Sequence, residues 1–240
     1  MNPTRLMFVS ALAVALTPLT ALAASDDKDK QVDRMEEATA VFSEVMATPD
    51  HAIPRDLLEK SECIAIVPGV KKAAFVFGAK FGTGYLFCRR AGGTGWSAPG
   101  TIRMEGGSFG FQIGASETDV IMLVMNHSGR NHLLSSKFTL GGDASVAAGP
   151  VGRTSSAETD AQMNAEILSW SRSKGLFAGI SLTGATLRQD LDDNQALYGK
   201  RLENREIIKD GDTQVPASAK RLLGLLNEYS DRRERKADNN

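Results

Sequence analysis

Five basic residues are the side chains of this sequence best suited to binding a ligand: Lys71, Lys72, Arg153, Arg172 and Lys174. Each lies near a glycine-containing segment where the chain is expected to turn. If these turns gather at one end of a sheet beside exposed apolar side chains, the cations would contact phosphate groups and the apolar side chains would contact lipid tails. The simpler interpretation is that they are ordinary solvated cations.

Chemistry that breaks or forms covalent bonds has weaker support. The segment Gly106–Gly110 fits the pattern G-x-S-x-G, with Ser108 as the nucleophile. That pattern requires a strand before the serine, a helix after it, and an acid and a histidine farther along the chain. Here a second strand-like run follows, and His127 and His132 come too early for such a fold. A serine hydrolase is therefore a remote alternative, and a strand interrupted by glycines is the simpler interpretation.

Metal and nucleotide sites are not predicted. The three histidines have no HExxH spacing and no paired cysteines near them, and the glycine-rich loops contain neither G-x-G-x-x-G nor a Walker lysine. We therefore predict no cofactor. The two cysteines, Cys63 and Cys88, lie in apolar, strand-like runs, and both a disulfide between them and buried free thiols fit this sequence.

The first 23 residues have the features of a secretory signal peptide. Arg5 precedes an apolar run over 6–16, and the small residues Ala21 and Ala23 suit cleavage before Ala24. The apolar run is too short to span a bilayer. Loss of Arg5 from the 28 basic residues, against 29 acidic ones, leaves a formal charge of −2, which argues against nucleic-acid binding. We expect a periplasmic or secreted protein, with peripheral membrane association possible.

Helical and strand patterns divide the remaining chain. The spacing of apolar residues predicts a helix over 32–48 that packs on a core, or that also contacts lipid, and a short helix over 55–60. Closely spaced strands punctuated by glycine follow, and they predict an antiparallel sheet or barrel. The candidate strands are 63–67, 73–78, 84–89, 95–97, 101–105, 108–115, 120–125, 165–171 and 176–187. Turns are expected between the first seven of them, at 68–69, 80–82, 91–93, 99–100, 106–107 and 116–118. Helices are expected again over 190–198 and from Pro216 onward.

The segment 141–153, GGDASVAAGPVGR, is unusually rich in small residues. It could be a flexible linker or a tightly packed seam. Because Val146 and Val151 give it something to bury, the sequence favours the seam. The charged segment 24–31 and the polar tail 230–240 are expected to be disordered. The predicted fold is α+β, one domain over 32–229 with a curved antiparallel sheet or barrel-like core flanked by N- and C-terminal helices.

Several long motifs in this order resemble the SYLF domain family, a lipid-binding module that also occurs in yeast actin-binding proteins and in exported bacterial proteins. The resemblance runs from Ala52 to Gly199 and includes AIVPGVKKAAFVFGAKFGTG, GWSAPG, GGSFGFQIGASETD, TLGGDASVAAGPVGR and SRSKGLFAGISLTGA. It implies a compact α+β domain that, in eukaryotic members, binds phosphoinositides or other anionic lipids, and it implies no catalysis. The basic positions that match the family are Lys72, Arg153, Arg172 and Lys174.

The resemblance and the cations together predict a non-enzymatic protein that binds anionic phospholipid at a bacterial envelope membrane. Phosphatidylglycerol or cardiolipin would replace phosphoinositide in that setting. A protein-interaction or envelope-structural module, with an envelope protein as partner, is the alternative. Neither nucleic acid nor actin is expected as a partner of an exported protein. The candidate lipid-binding residues are Lys71, Lys72, Arg153, Arg172 and Lys174.

Overall fold

A computed structural model describes residues 20–48, 52–90, 94–152, 164–209 and 213–230, with backbone alone for 20–25, 73–77 and 108–115. Arg153, residues 1–19 of the predicted signal peptide and the tail from 231 onward lie outside the described residues.

The described chain is an α+β domain with seven strands. Helices α1 (Thr20–Ala47) and α2 (Arg55–Lys60) precede the long strands β1 (Cys63–Cys88) and β2 (Gly100–Val124). The next elements are α3 (His127–Leu133), β3 (Lys137–Thr139), β4 (Val146–Ala148), β5 (Ile167–Ser173), β6 (Leu176–Gly179) and β7 (Thr186–Gln189). Helices α4 (Leu191–Tyr198), α5 (Asn204–Lys209) and α6 (Lys220–Tyr229) end the domain, with a 3-10 turn at Ala217–Ala219.

One curled sheet contains all seven strands. Its order is β3-β7-β2-β5-β4, with β1 paired to β2 and β6 paired to β5. Every pairing is antiparallel except that of β4 with β5. The prediction of a single α+β domain, with a curved antiparallel sheet between N- and C-terminal helices, is confirmed.

Strands β1 and β2 form one continuous ribbon, where the sequence predicted several short strands. The register runs from Cys63 opposite Val124 to Leu86 opposite Gly100. The turns predicted at Pro68-Gly69, 80–82, 106–107 and 116–118 are therefore wrong. Pro68-Gly69 instead coincides with a register shift, as a bulge allows. The other glycines lie within strands, where they permit close backbone approach rather than a reversal of the chain.

The ribbon curls until β1 packs against itself. A Cβ atom at Gly84 would lie 2.1 Å from the carbonyl oxygen of Ile66 and 2.6 Å from the Cα of Val67. A Cβ at Gly82 would lie 2.8 Å from a side-chain methyl of Val70. Glycine at 82 and 84 thus lets the second half of β1 lie directly on the first half.

The two ends of the curled strand are tied together. Cys63 and Cys88, the first and last residues of β1, form a disulfide. Beside it, the backbone N–H of Arg89 donates a 2.8 Å hydrogen bond to the carbonyl oxygen of Glu62. Of the two states that the sequence left open, the structure therefore contains the disulfide, and this crosslink closes β1 into a ring.

Alternate residues at the ends of the ribbon enter two separate cores. On one face, Ile64, Ile66, Phe87, Ile121 and Leu123 pack with residues of α1 and α6 such as Phe42 and Leu222. On the other face, Ala65, Leu86, Ile102, Met104 and Met122 pack inside the curled sheet with Leu133, Phe138 and Leu187. The period-two pattern of a strand buried on both sides accounts for this arrangement.

Helix α1 is longer than predicted. It runs without a break across the predicted cleavage point before Ala24, and the expected disorder of 24–31 is wrong. Lys30 forms ion pairs with Asp26 and Asp27, which are worth little at such exposed positions. The buried Gln31 provides the anchor, because the Tyr85 hydroxyl donates to its carbonyl oxygen at 2.8 Å and lies 2.9 Å from its side-chain oxygen.

The small-residue segment is a packed seam as far as Gly152, the last residue described there. A Cβ at Gly149 would lie 2.0 Å from the indole ring of Trp170, and a Cβ at Gly179 would lie 2.1 Å from the Gly149 carbonyl oxygen. The indole N–H of Trp170 donates to the Pro150 carbonyl at 2.9 Å. Only glycine fits between the two backbones and the indole ring, so the prediction of a seam is confirmed.

Two other helices and the C-terminal end differ from the predictions. Helices α3 and α5 were not predicted, and the predicted strand 176–187 is divided into β6 and β7. Ser230, placed by the sequence in a disordered tail, is buried. Its hydroxyl accepts a 3.1 Å hydrogen bond from the indole of Trp96, and this contact fixes the end of α6.

Candidate ligand-binding surface

Lys71 and Lys72 lie in β1 just past the bulge at Pro68-Gly69. Lys71 is directly opposite Glu117 of β2, and Lys72 is opposite Ser116. Lys71 is exposed and Lys72 is half-buried. Successive residues of a strand point to opposite faces, so the two lysines serve different sides of the ribbon.

Arg172 is occupied within the fold. It lies in β5 opposite Asp119, whose carboxylate accepts a 2.8 Å hydrogen bond from the Arg172 Nε. A second carboxylate, that of Glu44 on α1, pairs with the other end of the guanidinium. Two anions therefore neutralise Arg172, and its evident role is to join α1 to the sheet.

Lys174 forms the tip of the β5–β6 hairpin with Gly175. Both have positive φ, 50° and 79°, as the central residues of a type I′ turn require. Lys174 is the only non-glycine residue with positive φ in the described chain. Leu176, next to the turn, is 78% exposed and is one of two large apolar side chains in the described residues that lie largely in solvent.

Strand register brings Lys71, Lys72 and Lys174 to one end of the sheet. β5 runs antiparallel to β2, so beyond the pair Arg172–Asp119 it continues toward Thr118 and Glu117 of β2. Glu117 is in turn the residue opposite Lys71. We call this region the basic end, and it comprises Lys71, Lys72, Lys174 and Leu176. Among the described residues, none of its three lysines forms an ion pair. Glu117 shares this region and reduces its positive charge.

A cavity of about 460 Å³ adjoins the basic end. It lies between the C-terminal turn of α1 and the β5–β6 hairpin, and Val45, Ala47, Leu176 and Phe177 supply its apolar lining. Glu44 and Arg172 form its charged wall. The combination of an apolar cleft and nearby unpaired cations suits an amphiphilic ligand with an anionic head.

The structure does not give Ser108 the setting of a catalytic nucleophile. Its backbone lies inside β2 opposite Gly78, and the strand continues for sixteen residues to Val124. The strand-to-helix turn that the pattern requires is therefore absent at this position. Within the described ranges, no three histidine, cysteine, aspartate or glutamate residues are grouped so that they could hold a metal ion.

Sequence reasoning missed two features of the same region. Phe81, in β1, is 49% exposed, and the Arg103 guanidinium lies 5.9 Å from its ring centroid. Lys80, the preceding residue of β1, is half-buried. The available signal was the uncharged run between Lys72 and Lys80. Among the helices of the described chain, none is long and apolar enough to cross a membrane.

Comparisons with known proteins identify the family. Residues 105–229 match the profile described as Ysc84, Las17-binding protein actin regulator. Protein YSC84 of Saccharomyces cerevisiae is 34% identical over 180 residues, which cover 74% of this chain and 38% of the yeast protein. SH3 domain-containing YSC84-like protein 1 is 34% identical over 188 residues in Xenopus laevis and 33% over 196 residues in Homo sapiens.

These two vertebrate alignments cover 78% and 80% of this chain, and 55% and 56% of the relatives. The chain thus spans about half the length of the vertebrate relatives and less of the yeast protein. The family profile begins within β2 and continues to the end of α6. The chain belongs to the Ysc84 family, the SYLF-domain family that its motifs resemble.

Proposed function

We propose that this protein binds anionic phospholipid at a membrane surface, without catalysis, through the basic end. The observation that carries the proposal is the exposed Leu176 beside Lys174, at the end of the sheet that also holds Lys71 and Lys72. An apolar side chain next to unpaired cations suits the boundary between acyl chains and phosphates. The neighbouring cavity offers room for part of a lipid.

The expected attachment is weak and reversible. Each lysine near an anionic membrane contributes about 1 kcal/mol, so the three lysines together would contribute about 3 kcal/mol before the repulsion from Glu117 is counted. Attraction of this kind is screened within about 10 Å at 0.1 M salt. Binding should therefore require anionic lipid and should weaken as salt is raised.

An exported location remains part of the proposal. Cleavage before Ala24 would leave the protein in the periplasm or outside the cell, where phosphatidylglycerol and cardiolipin are the available anionic lipids. Helix α1 would then begin at the new N-terminus and would keep the Gln31 anchor. The intact mass of the protein recovered from the periplasm or medium tests this point, because cleavage elsewhere or retention in the cytoplasm would contradict it.

The central test is co-sedimentation of the exported protein with vesicles. We expect binding to phosphatidylcholine vesicles containing phosphatidylglycerol at low salt, little binding at high salt, and little binding to phosphatidylcholine alone. The variant Lys71→Gln/Lys72→Gln should bind less. Its matched control is Lys220→Gln/Arg221→Gln, an adjacent exposed pair on α6 with the same loss of charge. Equal losses in both variants, or no binding of the wild type at low salt, would overturn the proposal.

A protein partner is the second candidate. The family description names Las17 binding and actin regulation for members of the family. The observation that favours this candidate is that β1 pairs only with β2 in the described structure, so the outer edge of its middle part, residues 71–81, is available for strand addition. A complex of the purified protein with an envelope protein that forms without lipid and persists at high salt would support it.

A further inference from the structure

The middle of the β1–β2 ribbon has only two strands. β7 pairs with residues 102–105 of β2, and β5 pairs with residues 119–124. Between them, residues 106–118 of β2 are paired with β1 alone in the described structure. We call residues 71–81 of β1 and 106–118 of β2 the arch. A ribbon of two strands without a packed face is marginally stable in water at best.

The sequence of the arch is almost free of charge. Seven uncharged residues separate Lys72 from Lys80, and eleven separate Glu105 from Glu117. The backbone register sets these two runs opposite each other, with Ala73 opposite Ala115 and Phe77 opposite Phe109. The arch also contains five of the ten phenylalanines of the chain: Phe75, Phe77, Phe81, Phe109 and Phe111. Large apolar patches on the surface of a soluble protein usually mark interaction sites.

Three residues at the base of the arch, where it joins the packed parts of the ribbon, are exposed, as expected for a ribbon that no third strand covers. Ala79 is exposed, Phe81 is 49% exposed, and Gly107 is exposed with no atom within 4 Å of a Cβ built there. The two limbs of β1 meet where Gly82 lies against Val70. Lys71 and Lys72 therefore flank one side of this junction, and Lys80 flanks the other.

The physics of a two-stranded ribbon limits where it can lie. Its outer edges carry backbone N–H and C=O groups that no third strand pairs in the described structure. In the hydrocarbon core each such group would cost several kcal/mol, and open sheet edges do not occur there. In the interfacial layer, water and headgroups supply hydrogen-bond partners, while aromatic rings are favoured. The cations at the base would then reach lipid phosphates.

We infer that the arch is the segment that enters the bilayer interface, to the depth of the glycerol region. Lys71, Lys72 and Lys80 would then contact the lipid phosphates. The inference rests on the proposed function and extends it, since it names the segment that contacts lipid and its depth. The chosen occupant is an anionic bilayer because three cations flank an uncharged ribbon. A second copy of the chain, adding a strand to the free edge, is an outcome that the test can detect.

A tryptophan reporter tests the depth. The native Trp96 and Trp170 are 2% and 0% exposed, so both should respond little to lipid. In the full exported protein, Phe109→Trp should shift to shorter emission wavelength on phosphatidylglycerol vesicles. Lipids brominated near the headgroup end of the chain should quench it more than lipids brominated near the bilayer centre. The control Asn227→Trp, at an exposed position on α6, should show neither effect.

A charge placed in the arch gives an independent measurement. Ala79→Asp, at an exposed position, should weaken vesicle binding about fivefold with an unchanged melting temperature, because the carboxylate meets anionic headgroups. Ala217→Asp, exposed at the start of the 3-10 turn, changes the net charge equally and should weaken binding less.

The outcomes separate the two proposals. Vesicle binding without a response of Phe109→Trp would overturn the arch inference and leave the proposed function standing. Stronger quenching from the bilayer centre would overturn the interfacial depth. A shift of the reporter that depends on protein concentration in the absence of lipid would overturn the inference in favour of self-association. Absence of binding at low salt would remove the proposed function itself.

Discussion

The two parts of the β1–β2 ribbon have the same pairing but different surroundings. At the ends of the ribbon, residues 63–67 and 84–86 pair with residues 120–124 and 100–102, and alternate side chains enter two cores. In the arch, no third strand pairs with the ribbon in the described structure. Backbone pairing therefore does not distinguish the part that stabilises the fold from the part that is free to bind. Pairing with a third strand does: β7 and β5 pair with β2 on either side of the arch, and no third strand pairs with the arch in the described structure.

The boundary between the two parts is the place where β1 crosses itself. Gly82 and Gly84 lie on Val67 and Val70 there, and the disulfide ties the strand ends beyond it. Glycines of the same ribbon consequently have different roles. At Gly84 the absence of a side chain allows backbone contact, whereas at Gly107 it leaves open space.

The largest expected effect comes from the same substitution at these two glycines. Gly84→Ala should destabilise the protein by more than about 3 kcal/mol, because the new methyl group would overlap a backbone carbonyl that cannot move aside as a side chain would. Gly107→Ala should change the free energy of unfolding by less than about 0.5 kcal/mol. Urea unfolding followed by circular dichroism measures both.

Gly107→Ala also serves as the matched control for expression and purification. Similar losses in the two variants would mean that the ends and the middle of the ribbon do not differ in packing. Loss confined to Gly107→Ala would contradict the crossing itself.

Removal of the disulfide is expected to have the next largest effect. Cys63→Ala/Cys88→Ala should cost about 3.5 kcal/mol, as a chain-entropy treatment gives for a closed loop of this length. The melting temperature of the wild type should fall on addition of a thiol reductant, and that of the double variant should not. A double variant as stable as the wild type would show that packing alone holds the two ends of β1 together.

A smaller effect is expected at Tyr85, in the packed part of the ribbon. Tyr85→Phe should cost about 1–2 kcal/mol, because the buried carbonyl of Gln31 loses its donor from the tyrosine. Thermal unfolding of the variant at neutral pH measures this cost. No loss would indicate that α1 is held by its apolar face alone.

The same residue makes stability depend on pH. Burial raises the pKa of the Tyr85 hydroxyl far above the usual value of about 10. The folded protein keeps this proton where the unfolded chain loses it, so stability is full below pH 10 and falls as pH rises above it. Wild type should lose more stability than Tyr85→Phe between pH 9 and pH 11, measured by urea unfolding at each pH. Equal slopes would contradict this contribution.

The sequence predicted the features that depend on local pattern. The apolar spacing of α1, the antiparallel sheet and the seam at Gly149 each follow from residues close together in the chain. The sequence did not predict that residues 24–31 are ordered in a helix. The hydrogen bond that anchors this helix joins Gln31 to Tyr85, which lies far along the chain. Glycine pairs such as Gly106-Gly107 resemble turns, and only the crossing of distant segments shows that they lie within a strand.

The candidate site was predictable in its residue types and not in its arrangement. Lys71, Lys72 and Lys174 meet at one end because β2 pairs with both β1 and β5 in particular registers, which no local pattern reveals. Arg172 looked equivalent to them until its partners on α1 and β2 were known. The charge pattern of the arch was present in the sequence, but its meaning depended on knowing that, among the described strands, only β1 and β2 pair there.

Substitution of Lys174 should cause the smallest change in stability and still a clear change in vesicle binding. In Lys174→Asn the turn becomes Asn-Gly, the preferred pair for a type I′ hairpin, so the positive φ of 50° is accommodated better than by lysine. The free energy of unfolding should stay within about 0.5 kcal/mol of the wild type or rise slightly. Affinity for phosphatidylglycerol vesicles at low salt should fall about fivefold through the loss of one cation.

Lys174→Arg should retain affinity, although arginine has no advantage in the turn. Unchanged binding in Lys174→Asn would mean that Lys174 serves the fold alone and that the cations of the arch contact the lipid. Parallel losses of stability and binding would instead show that the turn needs lysine itself.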